Sequence, residues 1–289
     1  MSLASTTLIE HLGQPAVQLA LADGSRAIVL MHGAHVVSWQ DAQAGEQLYL
    51  SPTAVAGPGK AIRGGVPVIF PQFEQRGPDH SLPRHGLART RAWRLDEHRV
   101  AGNGALATLV LTDDDETRAL WPHAFALELT VSLSPHRLDL ELHVQHTGEA
   151  DAQPWPFSAA LHTYLAVSEL NEVRLRGLDG CLFLDSVTQA EYTEDHYEKR
   201  FTGEIDRIYT KVPATLQLRD ATRRLSLQSS TFEDAVIWNP GPDKCEALAD
   251  MPDEDWRRML CVEAAQIMSP PLLTPGDSWT ARQSLVLEG

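Results

Sequence analysis

The stretch Leu127-Glu128-Leu129-Thr130-Val131-Ser132-Leu133 alternates apolar and polar side chains without a break. In an extended chain every second side chain shares a face, so this run predicts a strand with one buried and one wet face. Ser134-Pro135-His136-Arg137 follows as a turn, and Leu138, Leu140, Leu142 and Val144 then alternate with Asp139, Glu141, His143 and Gln145. The two runs read as the arms of an antiparallel hairpin packed on a core. A helical period would scatter the same leucines around the axis.

Shorter pairs repeat the pattern: Val17 to Leu21 with Arg26 to Leu30 around Asp23-Gly24, and Leu216 to Leu218 with Leu225 to Leu227. Helical signals are few. Glu116 to Leu120 is too short for a core helix, and Asp253 to Leu260 offers about two turns with acids at its start. Long Gly- and Pro-rich loops run from Ser51 to Gly65, Pro71 to Pro83, Gln153 to Pro156 and Asn239 to Pro252, and such loops on a β scaffold are where sites are built. No linker or internal repeat divides the chain. An all-β protein is expected, a large antiparallel β-sandwich with few short helices, as a single domain over residues 1–289.

With 289 residues, 43% of them apolar, the chain can bury such a core without disulfide staples. Cys181, Cys245 and Cys261 are odd in number and lack Cys-x-x-Cys spacing, which points to reduced thiols used in packing. Residues 1–14 hold no apolar run of signal-peptide length and no later stretch is long enough to span a bilayer, so a cytoplasmic location is expected. A net charge of −15 argues against nucleic acid or an anionic membrane as partner. His32/His35 and His143/His146 are each spaced three apart, which sends the pairs to opposite strand faces, and no metal site is expected.

The charge is uneven. Between Lys60 and Arg94, seven basic residues (Lys60, Arg63, Arg76, Arg84, Arg89, Arg91, Arg94) face two acids, Glu74 and Asp79. That local excess is a candidate site for a small anion, with solvated surface arginines as the alternative. Glu233 to Asp255 carries eight acids and one lysine and reads as a solvated surface segment.

Four further segments stand out: Ile62-Arg63-Gly64-Gly65-Val66-Pro67, Leu82-Pro83-Arg84-His85-Gly86-Leu87-Ala88-Arg89, Ala160-Leu161-His162-Thr163-Tyr164-Leu165-Ala166-Val167, and Val262-Glu263. With Gly203-Glu204-Ile205-Asp206-Arg207-Ile208-Tyr209 and Val236-Ile237-Trp238-Asn239-Pro240, they resemble in order and spacing the glucose-6-phosphate 1-epimerase family of the galactose mutarotase-like superfamily. The resemblance runs from about Val17 to the C-terminus.

It implies the supersandwich fold and a cofactor-free isomerase that interconverts the α and β anomers of an aldohexose 6-phosphate, most readily glucose 6-phosphate. His162 and Glu263 match the family's acid–base pair, with Glu263 as general base and His162 as general acid. One group takes the anomeric hydroxyl proton while the other protonates the ring oxygen, and the roles reverse on reclosure. Arg63, Arg84 and Arg89 match sugar and phosphate recognition, for which planar guanidinium forks are suited. Relatives often carry a neutral polar residue where Arg84 stands. Asp206 matches a substrate-binding aspartate, His85 is a candidate hydroxyl donor, and Trp238 a candidate stacking surface. A monomer acting on a small sugar phosphate is the default expectation.

Taken without the resemblance, His162 reads as a satisfied structural histidine and Glu263 as an outward-facing strand residue. Other functions stay open too: an aldose 1-epimerase for unphosphorylated sugars, a non-catalytic carbohydrate-binding domain, or a protein-interaction scaffold.

Overall fold

The computed structural model describes residues 3–76 and 82–288. The hairpin forms as Phe125–Ser134 and Arg137–His146, with Leu133 opposite Leu138, Val131 opposite Leu140 and Leu129 opposite Leu142. All six of these side chains are buried, as their alternation requires. The hairpin lies inside a nine-stranded antiparallel sheet. In spatial order the strands are Glu198–Arg200, Arg174–Arg176, Thr215–Arg219, Arg224–Ser230, Ser278–Glu288, Arg137–His146, Phe125–Ser134, Gly104–Thr112 and Arg94–Ala101.

An eight-stranded sheet runs through Ala190–Thr193, Leu182–Asp185, Ile205–Tyr209, Asp234–Asn239, Met259–Gln266, Ala159–Leu161 and Val68–Ile69, with Tyr164–Ala166 also paired to Met259–Gln266. A five-stranded sheet is built from the strands between Ser5 and Glu46. Leu140 of the first sheet, Val262 of the second and Val17 of the third belong to one apolar cluster, so the sheets close on a shared core. The all-β sandwich expected from alternation is therefore the architecture found. No helix among the described residues is long and apolar enough to cross a membrane.

The helical expectations hold in part. Asp115–Leu120 is a short helix, started by an Asp114 side chain that accepts from the Thr117 N–H while Thr117 reaches back to the Asp114 N–H. Asp253 to Leu260 is not two helical turns: Asp255–Arg258 makes a single 3-10 turn, and Met259 already begins a buried strand. The cause is the apolar run from Met259 to Val262, which is worth more in the sheet than in a solvated helix. Conversely, the stretch read as loop from Asn239 to Pro252 contains the helix Gly241–Glu246. The loop expected from Pro71 to Pro83 falls partly outside the described residues, as does Asp79.

Candidate active site

Register alone brings the central pair together. Leu161 pairs with Ala264 and Tyr164 with Cys261, so between these positions His162 lies opposite Glu263, and Thr163 opposite Val262. The Val262 N–H donates to the Thr163 carbonyl at 3.1 Å across this interval. Residues directly opposite in an antiparallel pair share a face, with Cβ atoms about 4.5–5.5 Å apart. On the other side of Met259–Gln266, Val236 is opposite Glu263 and Trp238 opposite Cys261, and Asp206 is in turn opposite Trp238. One face of the sheet thus carries His162, Tyr164, Glu263, Trp238 and Asp206, while Val262 and Ile237 turn into the shared core.

The pair is buried, with His162 7% and Glu263 1% exposed. His162 Nδ1 stands 3.3 Å from Glu263 Oε1. The alignment is not that of a hydrogen bond: Nδ1 and both carboxylate oxygens have no partner among the described residues. Three unpartnered buried polar atoms at one point are costly and mark where a ligand's hydroxyls would be received. Burial pushes the Glu263 carboxyl well up, helped by the charges of Asp206 and Glu74, and pushes His162 well down, helped by Arg89 and Arg63. The imidazole stacks on the Tyr164 ring at 4.8 Å, which fixes its plane.

A cavity of about 310 Å³ opens over this pair, within the range of small-ligand sites. All seven residues singled out from the sequence line it: Arg63, Arg84, His85, Arg89, His162, Asp206 and Glu263. Arg63 donates to Asp250 Oδ1 at 3.2 Å and to the Tyr164 hydroxyl at 3.1 Å. Arg89 donates to the Arg84 carbonyl at 3.0 Å, while its buried Nε has no partner among the described residues. Burial lowers the Arg89 pKa to about 10, and Arg63 and Arg84 add to the effect, yet the group stays cationic at neutral pH. Arg84 is the most exposed of the three, its side chain 65% accessible and paired with Glu74 at 2.6 Å. The four other basic residues of the 60–94 segment do not line this cavity.

His85 is nearly buried, and its Nδ1 accepts from the Glu74 N–H at 3.2 Å. Burial and the neighbouring arginines hold it neutral, which leaves Nε2–H as a donor. Asp206 is raised to about 6, by burial first and by the Glu74 charge second. The wall opposite is built by Lys244, Ala247 and Leu248. The acidic 233–255 segment is therefore not simply solvated surface. Asp234 is buried and accepts from the N–H groups of Ile267 and Met268, Asp250 holds Arg63, and Asp255 accepts from Tyr49 at 2.7 Å.

Gly64 and Gly65 follow Arg63 with φ of +112° and +61°. A Cβ on Gly65 would sit 2.3 Å from the Val36 carbonyl oxygen and 2.8 Å from His35 Nε2. Gly65→Ala is expected to lower stability by about 1–3 kcal/mol, against a few tenths to ~1 for Gly13→Ala, where the φ is similar but the space is open. Paired thermal melts check this; equal losses would mean that φ alone matters.

Beneath the pair, Gln283 reaches across from the nine-stranded sheet. The Thr163 hydroxyl donates to Gln283 Oε1 at 2.5 Å, and Gln283 Nε2 donates to the Val262 carbonyl at 3.1 Å. One buried amide so ties the residue after His162 to the residue before Glu263. Gln283→Leu is expected to lower kcat about tenfold with KM little changed, since it loosens geometry without touching the cavity. A change confined to KM would sink that role.

His162, Cys261 and Glu263 also place their Nδ1 or Nε2, Sγ and carboxylate atoms within 4.8 Å of one another. Burial pushes the Cys261 thiol well up, so it faces the pair as a neutral S–H.

A family model described as aldose 1-epimerase matches residues 15–286. The chain belongs to the aldose 1-epimerase family. It is accordingly an isomerase that acts at the anomeric carbon. A Cenchrus ciliaris protein, provisionally named a glucose-6-phosphate 1-epimerase, is 35% identical over 268 residues, covering 90% of this chain and 80% of its own length. A Salmonella typhimurium protein of the same provisional name is 33% identical over 255 residues, covering 86% of this chain and 82% of its own. Among solved structures, a provisionally named mutarotase from Salmonella typhimurium superposes with a TM-score of 0.87 at 28% identity, covering 98% of this chain and 96% of its own.

For this epimerase the sequence motifs named most of the cavity's polar residues but missed Glu74 and Lys244 in its lining and Gln283 beneath it. Glu74 and Lys244 lie in loops read as places where sites are built, but the two residues themselves were counted only for net charge, and Gln283 lies in a strand with no motif. Cys261, read as packing, stands beside the acid–base pair.

Proposed function

We propose that this family member interconverts the α and β anomers of an aldohexose 6-phosphate, with Glu263 and His162 as the acid–base pair and Arg63, Arg84 and Arg89 receiving the anionic end. The observation that carries this reading is the buried, mutually unpaired His162 and Glu263 at the base of a cavity walled by three arginines. The provisional names of the relatives from Cenchrus ciliaris and Salmonella typhimurium support the phosphorylated substrate.

Ring opening moves one proton off the anomeric hydroxyl and one onto the ring oxygen, and reclosure on the other face of the aldehyde reverses both. A pair that holds one proton in total can serve both halves. Burial of Glu263 and His162 favours keeping that proton on the carboxyl at rest. Moving it to the imidazole, as substrate hydroxyls displace the dry surroundings, yields the carboxylate base and imidazolium acid without any exchange with solvent. His85 Nε2–H and the Asp206 carboxylate supply one donor and one acceptor for ring hydroxyls.

The test is NMR of freshly dissolved α-glucose 6-phosphate with wild type, Glu263→Gln and His162→Asn, repeated with glucose. Acceleration by wild type alone, and for the phosphate ester above the free sugar, supports the reading. Equal action on glucose would replace it with a general aldose 1-epimerase. A second expected outcome concerns pH. With Asp206 near 6 in the free protein, kcat/KM should fall as pH drops through about 6, because a protonated carboxyl no longer accepts in the same way. Asp206→Asn should remove that limb from the profile; an unchanged limb would assign it to another group.

A further inference from the structure

On the far side of the sandwich from this cavity, register lines up arginines. Arg174 lies opposite Arg219 on one neighbouring strand and opposite Arg200 on the other, and Arg219 lies opposite Arg224 across the next pairing. The alternating residues Leu175, Leu218 and Leu225 are buried in the core, so this row points outward from the nine-stranded sheet. Like charges directly opposite one another in a sheet destabilise it. The pairing is the more unusual in a chain of net charge −15.

A cavity of about 230 Å³ lies over three members of the row, Arg174, Arg219 and Arg224, and is also lined by Arg176, Glu198 and Glu288. Glu198 is shared between two of them, 2.8 Å from Arg176 and 3.6 Å from Arg174. Arg219 and Arg224 make no ion pair among the described residues. We propose that this cavity is a second anion site, separate from the epimerase cavity, for a small molecule bearing two or more phosphoryl groups. Strands lie about 4.8 Å apart, so Arg174, Arg219 and Arg224 project from backbones spanning roughly 10 Å. One phosphate can be gripped by two guanidinium forks, whereas these three arginines together match adjacent phosphoryl groups. The small concave shape, in an otherwise acidic protein, fits a compact polyanion rather than a nucleic-acid track or a membrane.

Calorimetric titration with inorganic tripolyphosphate tests this, with orthophosphate as a second arm. Wild type should bind tripolyphosphate with one-to-one stoichiometry at this row. Arg219→Gln/Arg224→Gln should weaken binding at least tenfold while epimerase activity and circular dichroism stay unchanged, and Arg89→Ala should leave that binding intact. Binding that survives in the double variant but is lost in Arg89→Ala would assign the anion to the epimerase cavity and overturn the proposal. So would orthophosphate binding as tightly as tripolyphosphate, or no binding of tripolyphosphate to wild type; in the latter case a double variant melting above wild type at low salt would make the row a repulsive cost.

Discussion

Glu263→Gln is expected to lower the epimerisation rate by about 10²–10⁴-fold and to raise the melting temperature at neutral pH. The rate loss follows from removing one member of a positioned proton-transfer pair, and its size from the usual contribution of such a group. The gain in stability follows from the folded-state environment. Burial and the charges of Asp206 and Glu74 push the Glu263 carboxyl above its ordinary value of 4.5. The folded protein therefore holds that proton more tightly than the unfolded chain, and stability is lost as pH rises above about 4.5 towards the folded pKa. A glutamine has no such dependence. The variant's advantage should be absent below pH 4.5 and grow above it, and a gain of ~1 kcal/mol would read as roughly 2–4 °C in a chain of this size. Melts of both proteins from pH 4 to 8 decide the matter. A variant less stable than wild type throughout would mean that the carboxylate is held by favourable contacts and is not strained by burial.

The second large effect is expected for Arg89→Ala. A charge-assisted hydrogen bond contributes about 1.5–3 kcal/mol, so KM for glucose 6-phosphate should rise by roughly 10- to 100-fold while turnover of glucose changes little. Arg89 also bears on the pair. Its positive charge lowers the Glu263 pKa and the His162 pKa alike, opposing the dominant burial at Glu263 and adding to it at His162. Removing it should move the acid limb of the kcat profile to higher pH. Arg89→Lys, which keeps the charge and loses the fork, should restore the limb more than it restores KM. If both sugars lose activity equally in Arg89→Ala, the residue supports the fold of the site and does not read phosphate.

Much of this was legible in the chain. The 127–144 hairpin is visible because both of its arms have one face buried and one wet, so the alternation survives in the residues themselves. Met259–Gln266 lacks that signature: all eight of its residues are buried, one face by the shared core and the other by two smaller apolar clusters that flank Glu263. A strand covered on both sides shows no alternation, and its first residues passed for the end of a helix. Arg63, Arg84, His85, Arg89, His162, Asp206 and Glu263 were reachable because they lie in short motifs with family-like spacing, although they converge from distant parts of the chain. Register explains why His162 and Glu263 meet, and register between residues a hundred positions apart is not written in either local segment. Gln283 is invisible for the same reason, since only the packing of one sheet on another reveals what its amide spans.

Three of the four cations lining the epimerase cavity arrive already matched to an acid of the same chain, Arg63 to Asp250, Arg84 to Glu74 and Lys244 to Glu204, while Arg89 has no such partner among the described residues. An incoming phosphate dianion would then exchange places with internal carboxylates more than with dissolved salt. Affinity in such a pocket should vary less steeply with ionic strength than three free cations would dictate. Monovalent anions, too weak to displace a tethered carboxylate, would be turned away by the same arrangement that admits a phosphate ester.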